Sequence, residues 1–501
     1  MEMRNFEATE AASYHFNSIE REIRPMIWPT NYYKLGCLTM FTLFFAGNTF
    51  AKELFVDGMR IQDYLQKHYC DSFKELAVRI DAAGLHADGT VVGYETLNEP
   101  SQGFVGIPDL NVVPDQHALL NGLIPTPLEA FLLGVGIPQT VGEWSMTRLG
   151  PIKIGSHFLN EEKLSAWKSN CIWENHGIYD KESMKILKPD YFAKDPETGE
   201  PVEFQRDFWK PYVNNFASEI RKVVPSTLIF IQPLVMETPP QWTKDDCDNI
   251  VYAPHWYDGL TMMMKKNLPW NFDVYADMRR TGSFRLSNLS IGYDSILRQY
   301  FSQVKLIKTE GKEMLNNCPI LIGECGIPFD MDEKFAYASN DYSAQEFTFN
   351  NIFKALESQQ LSYTLWNYCP DNTHEHGDHW NDEDCSIFSE ETENADGCRA
   401  SKAIIRPFAF KIAGDPIHTS FDMDTKKYTL KFVSDNSIKG DTEVFLPAFH
   451  YPSWSKCIVT ADEGKVHYNE ETRILHYSVD THKTLCKLEI SVEADSDCSV
   501  M

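Results

Sequence analysis

No Cys-x-x-Cys pair occurs anywhere in the 501 residues, although the chain holds 12 cysteines. They are scattered singly (Cys37, Cys70, Cys171, Cys247, Cys318, Cys325, Cys369, Cys385 and others), which is neither a dense disulfide framework nor a zinc pattern. They read as reduced thiols of a cytoplasmic protein, with a vacuolar or membrane-associated location as the alternative. Basic residues are also scarce, 46 against 72 acidic ones, for a formal net charge of −26. That balance excludes nucleic-acid backbones as general partners and leaves at most a transient membrane-surface contact. It suits a soluble enzyme acting on a neutral substrate. The opening residues Met1 to Glu7 show no basic stretch followed by an apolar core, so no secretory signal is expected. The most apolar run, Leu35 to Gly47, is well short of the roughly 20 residues of a membrane span and reads as a buried helix. The sequon at Asn288 is a chance match without such a signal. No glycine-rich phosphate loop is present, which argues against an open doubly wound nucleotide-binding sheet.

What is present is a series of short apolar runs that end in polar residues. Val91 to Leu97 runs into Asn98-Glu99-Pro100, and Thr227 to Val235 into Glu237. Asn249 to Ala253 runs into His255 and Tyr257, Pro319 to Gly323 into Glu324, and Leu361 to Leu365 into Trp366. Such runs predict strands buried on both faces, hence a parallel sheet covered by helices. Helical spacing of apolar residues is found between them, over Ile61 to Ala82, Tyr212 to Val223, Ile296 to Leu315 and Ala344 to Glu357. Alternating strands and helices with functional groups at the strand ends predict a (β/α)8 (TIM) barrel in residues 1–404. Residues 101–211 are too long and proline-rich for a simple crossover and read as an insertion on the active-site face. From about residue 405 the texture changes to short alternating runs, Lys427 to Val433 and Leu485 to Val492 among them, which predict a C-terminal antiparallel β-sandwich over 405–501.

Asn98-Glu99-Pro100 would by itself pass for a surface turn. Glu324 changes its weight, because a glutamate embedded in Leu321-Ile-Gly-Glu-Cys-Gly-Ile327 is costly unless paired or functional. Two carboxylates at the ends of separate strands are what a retaining β-glycosidase needs. Glu99 then serves as general acid/base and Glu324 as nucleophile, while Asn98 can bind a sugar 2-hydroxyl. His255 and Tyr257 are two residues apart and share a face if their strand continues. The tyrosine hydroxyl can then hydrogen-bond the nucleophile and the histidine can set its charge state; the alternative is an interfacial aromatic cluster. Trp366 can form the floor under a glucose ring or cap the barrel core. His374, His376, Asp378, His379, Asp382 and Asp384 suggest a metal loop, but they lack a fixed ligand spacing such as His-Glu-x-x-His. No metal or other cofactor is expected.

In order, Asn98-Glu99, His255 with Tyr257, Glu324 and Trp366 resemble the fourth, sixth, seventh and eighth strands of glycoside hydrolase family 5. Trp28-Pro-Thr-Asn-Tyr32, Met40-Phe-Thr-Leu-Phe-Phe-Ala-Gly47 and the stretch from Trp366 to Trp380 are narrower, and resemble its fungal endoglycoceramidase-related branch, in particular the steryl-β-glucosidases. The resemblance implies hydrolysis of a lipid glucoside, most of all ergosteryl β-glucoside, with glucosylceramide as the alternative substrate. It also implies that the barrel lacks its first three strands, since Glu99 belongs to the fourth. A catalytically inactive glycolipid-binding or non-functional fragment is therefore the alternative of another class. On that view the segment Leu35 to Gly47 packs on the missing side and is partly exposed.

Overall fold

The computed structural model describes residues 32–114, 120–147, 150–275, 288–379, 381 and 383–493. Along the chain come helices α1 (Leu35–Phe50) and α2 (Ile61–Ala82), strand β1 (Gly93–Glu95), and a long hairpin of β2 (Gln139–Thr147) and β3 (Gly150–Leu159). Helix α3 (Lys210–Arg221), strands β4 (Leu228–Ile231) and β5 (Ile250–Tyr252), and helix α4 (Tyr293–Glu313) follow. Strand β6 (Leu321–Cys325), helix α5 (Ser343–Ser358) and strand β7 (Ser362–Leu365) complete the α/β part.

Strands β1, β4, β5, β6 and β7 lie side by side in sequence order, all parallel. Ile229 is opposite Tyr94 on one side and Ile250 on the other. Tyr252 pairs with Ile320, His255 with Glu324, and Leu321 with Ser362. Among the described residues β1 and β7 pair on one side only. Helices cover the sheet through apolar stripes. In α3 the buried residues Tyr212, Val213, Phe216, Ala217 and Ile220 recur every three to four positions, and Pro211 comes just after a π-helical turn over Gln205–Trp209. Each side chain of this size contributes about 1.5–3 kcal/mol on full burial.

Helix α1 is buried over most of its surface, with Met40 exposed and Phe41 and Phe44 half-buried. Leu35, Leu43, Phe45, Ala46 and Phe50 are fully buried. The helix packs on α2 and α3 through Phe44, Tyr69 and Tyr212, and Phe45 stacks edge-on against Phe204. On its other side Thr39 accepts a hydrogen bond from Trp173, and Thr42 accepts one from the backbone N–H of Phe104. The long segment after β1 thus supplies the cover that the sequence alone did not assign to this helix. No helix among the described residues is long and apolar enough to cross a membrane.

Beyond Ile404 two four-stranded antiparallel sheets face each other. One runs β8 (Phe408–Lys411), β11 (Thr442–Phe445), β14 (Ile474–Ser478), β13 (Lys465–Asn469). The other runs β9 (Gly414–Asp422), β10 (Lys427–Ser434), β15 (Leu485–Val492), β12 (Cys457–Ala461). Alternate residues of β10 and β15, including Leu430, Phe432, Leu488 and Ile490, fill the space between the sheets. Arg406 joins this sandwich to α5. Its guanidinium pairs with Glu357 and donates to the carbonyl of Phe421.

Candidate active site

Four of the six sequence-predicted site residues meet at the C-terminal ends of the parallel strands. Parallel pairing continues past the end of β5, so that the backbone N–H of Trp256 donates to the Glu324 carbonyl at 2.9 Å. This extension puts His255 and Tyr257 on the face that carries Glu324, while Trp256 turns away and donates from its indole to Gln303 at 2.9 Å. The Nδ1–H of His255 donates to Glu99 Oε1 at 2.8 Å and stands 3.1 Å from Glu324 Oε2. Tyr257 donates its hydroxyl to Glu324 Oε2 at 2.9 Å. Taken with the imidazole nitrogen, oxygens of Glu99 and Glu324 lie within 4.8 Å of one another.

Burial works against a charge on His255, but hydrogen bonds to Glu324 and Glu99 and the charges of both outweigh it and raise the imidazole to about 9. The ring is therefore a cation at neutral pH, shared by two carboxylates. The Tyr257 hydroxyl is pushed well above its ordinary range, by burial first and then by the Glu324 charge, so it stays protonated as a donor. The same three groups, Glu99, His255 and Glu324, are the only set among the described residues spaced to hold a metal ion. A metal would have to displace the proton from His255, since an imidazolium has no lone pair to offer.

Glu99 is held in an unusual backbone state, with φ at +40° directly before Pro100. A non-glycine residue in the left-handed region costs on the order of 1–3 kcal/mol and persists only where its surroundings fix it. Gln232, just past β4, does so by accepting the Glu99 backbone N–H at 2.9 Å, while His255 holds the other end of the residue. Asn98 is exposed beside Glu99. Trp366 follows β7 and receives close packing from Gly326, where an added Cβ would fall 2.2 Å from the Trp366 carbonyl oxygen.

Gln232, Glu95 and Glu383 belong to the site although the sequence reading passed over them. Glu95 is the last residue of β1, within electrostatic reach of His255, Glu324 and Glu99, and no motif in the sequence marked it. Its carboxyl is pushed up by burial, with His255 opposing and Glu324 and Glu99 adding to the shift, and Oε1 is buried without a hydrogen-bond partner. Glu383 accepts the indole N–H of Trp366 at 3.1 Å, and nothing in its acidic stretch marks it out. In the loop before it, His374 stacks on Tyr337, the rings of His376 and His379 lie 5.5 Å apart, and His379 hydrogen-bonds the carbonyl of Asp371. Asp378 and Asp384 are taken up by Asn372, and Asp384 also by Arg399; Asp382 lies outside the described residues.

Comparison with known proteins agrees with this geometry. The family description "Cellulase (glycosyl hydrolase family 5)" matches residues 192–372, and "Glycoside hydrolase family 5 C-terminal domain" matches residues 406–492. A glucosylceramidase of Rhizopus delemar is 36% identical over all of this chain and 77% of its own length. An ergosteryl-beta-glucosidase of Saccharomyces cerevisiae is 31% identical over 94% of this chain and 75% of its own. The crystal structure of Cryptococcus neoformans sterylglucosidase 1 superposes with a TM-score of 0.90 at 31% identity, covering 97% of this chain and 76% of that one. The chain belongs to glycoside hydrolase family 5 and is an O-glycosyl hydrolase of that family.

Proposed function

We propose that the chain is a retaining β-glucosidase that cleaves a lipid glucoside, steryl β-glucoside above all, releasing glucose and the sterol. The observation that carries this reading is the approach of the Glu99 and Glu324 oxygens to within 4.8 Å. Retaining enzymes hold their two carboxyls about 5–5.5 Å apart, whereas inverting ones leave about 6.5–9.5 Å for a water. Glu324, oriented by Tyr257 and faced by the His255 cation, attacks the anomeric carbon and forms an ester as the glycosidic C–O bond breaks. The departing sterol oxygen takes a proton from Glu99. His255 and Glu99 share one proton across a 2.8 Å contact, so the pair acts as a single acid. Glu99 then removes a proton from water, which attacks the ester and frees glucose with retained configuration. Asn98 at the mouth serves the 2-hydroxyl and Trp366 the sugar face.

On this reading the five parallel strands are the fourth to eighth of a (β/α)8 barrel, carried by residues 1–404 with 101–211 inserted on the active-site face. The sterol assignment draws on the TM-score of 0.90 to the Cryptococcus enzyme. A second reading, glucosylceramide, is favoured by the 36% identity to the Rhizopus protein. The test is glucose release from ergosteryl β-glucoside and from glucosylceramide, each in detergent micelles. At least tenfold faster turnover of the steryl glucoside is expected. Preference for glucosylceramide transfers the proposal to the second reading, and no release from either, with no release from an aryl glucoside, overturns it.

A further inference from the structure

Trp366 does not stand alone at the end of β7. Its indole N–H donates to Glu383 Oε2 at 3.1 Å, and the other oxygen of that carboxylate accepts the side-chain amide of Asn381 at 2.7 Å. The loop that carries Glu383 is firmly built. Arg399, fully buried and stacked 4.1 Å over the ring of Phe329, grips Asp384 with both of its terminal nitrogens. Asn372 bridges Asp378 and Asp384, and Asp378 also takes the backbone N–H of Cys385 at 2.7 Å. Two adjacent acids are thus treated differently. Asp384 is neutralised by Arg399, while the named partners of Glu383 are an indole and an amide, both neutral.

A partly buried carboxylate held only by neutral donors is costly unless it has further use. Burial, offset by the bonds from Trp366 and Asn381 and reinforced by Asp378 and Glu99, raises the Glu383 carboxyl to about 7. That Glu99 contributes places Glu383 within electrostatic reach of the catalytic pair, although Glu99 follows β1 and Glu383 follows β7, the two ends of the strand arc. On the β-glucosidase reading the space between them is where the sugar lies. A carboxylate offers about four lone-pair directions, of which two are used, so donors from that space can still be accepted. A pyranose brings such donors, the hydroxyls, beside an apolar ring face that an indole can cover.

We infer that Glu383 is a specificity-determining residue that binds a sugar hydroxyl at C3, C4 or C6, with Trp366 and Asn381 holding its carboxylate in place. The inference rests on the β-glucosidase reading and adds a contact to it. A hydroxyl donating to a carboxylate discriminates strongly, because an analogue lacking it leaves the charge unpaired.

The test compares kcat/KM for p-nitrophenyl β-glucoside and its 3-, 4- and 6-deoxy analogues in the wild-type chain, Glu383→Ala and Glu383→Gln. Wild type should lose at least about tenfold on one of the three analogues. In Glu383→Ala that same loss should shrink to within about threefold while the other two persist, and Glu383→Gln should give an intermediate value. If all three losses persist in full in Glu383→Ala, the residue only supports Trp366 and the inference is wrong. Calorimetric binding of a gluco-configured iminosugar makes the test independent of turnover. Loss of at least tenfold in affinity by Glu383→Ala at an unchanged melting temperature supports the contact, and unchanged affinity overturns it. Absence of turnover in the wild type bears on the proposed function and leaves the binding result to decide this contact.

Discussion

Replacing His255 by glutamine keeps a polar side chain of similar reach and removes the one cation between the catalytic carboxylates. In the wild type the imidazole at about 9 keeps a proton in the group through neutral pH. Without it, the group loses the proton that the imidazole carries through neutral pH. The alkaline limb of kcat/KM on an aryl glucoside should therefore move from near 9 to lower pH. Stability follows the same group. A histidine raised on folding stabilises fully below its unfolded pKa near 6.5, and that contribution, on the order of 3 kcal/mol, fades as pH rises to about 9. The melting-temperature deficit of His255→Gln should then be largest near pH 6 and small at pH 9. An alkaline limb that does not move would refute the shared-proton argument.

The remaining expectations are simpler to read. Tyr257→Phe removes a hydrogen bond to a charged carboxylate, a change of about 1.5–3 kcal/mol; kcat/KM should drop by one to two orders of magnitude at an unchanged melting temperature, and a drop under threefold would count against the contact with Glu324. In Glu99→Ala, sterol release should suffer far more than release of an acidic phenol, and azide should restore turnover with formation of β-glucosyl azide; equal losses on both substrates without rescue would remove Glu99 from its role. Gly326→Ala drives a methyl group to 2.2 Å from the Trp366 carbonyl, so it should abolish turnover and lower the melting temperature, and wild-type behaviour would show that Trp366 is not placed against β6 as described.

Much of the architecture was legible because it depends on local signals. The apolar runs that ended in Glu99, His255, Glu324 and Trp366 are the parallel strands β1, β5, β6 and β7, and the stripe over Ile61 to Ala82 is α2 to the residue. In the sandwich, β8, β9 and β13 escaped notice, since Phe408–Lys411, Gly414–Asp422 and Lys465–Asn469 leave nearly all of their side chains exposed or half-buried and lack a clean alternation. The site divides in the same way. His255 and Tyr257 were readable as a pair because strand parity is a property of neighbouring residues. The partners of Glu99 were not, because Gln232 reaches it across 133 positions of chain and carries no motif. Glu383 was hidden for a related reason. Asp384 and Glu383 look alike in sequence, and only the fold decides which one receives Arg399. The burial of α1 depended on the long segment after β1, whose contacts no periodicity announces.

The central claim is that Glu324 forms a covalent bond to the sugar. Incubating the chain with 2,4-dinitrophenyl 2-deoxy-2-fluoro-β-glucoside, digesting it and sequencing the labelled peptide by mass spectrometry tests this directly. One fluoroglucosyl group per chain on Glu324, and none in Glu324→Gln, is the predicted result; a label on another residue, or one that survives in Glu324→Gln, would contradict it.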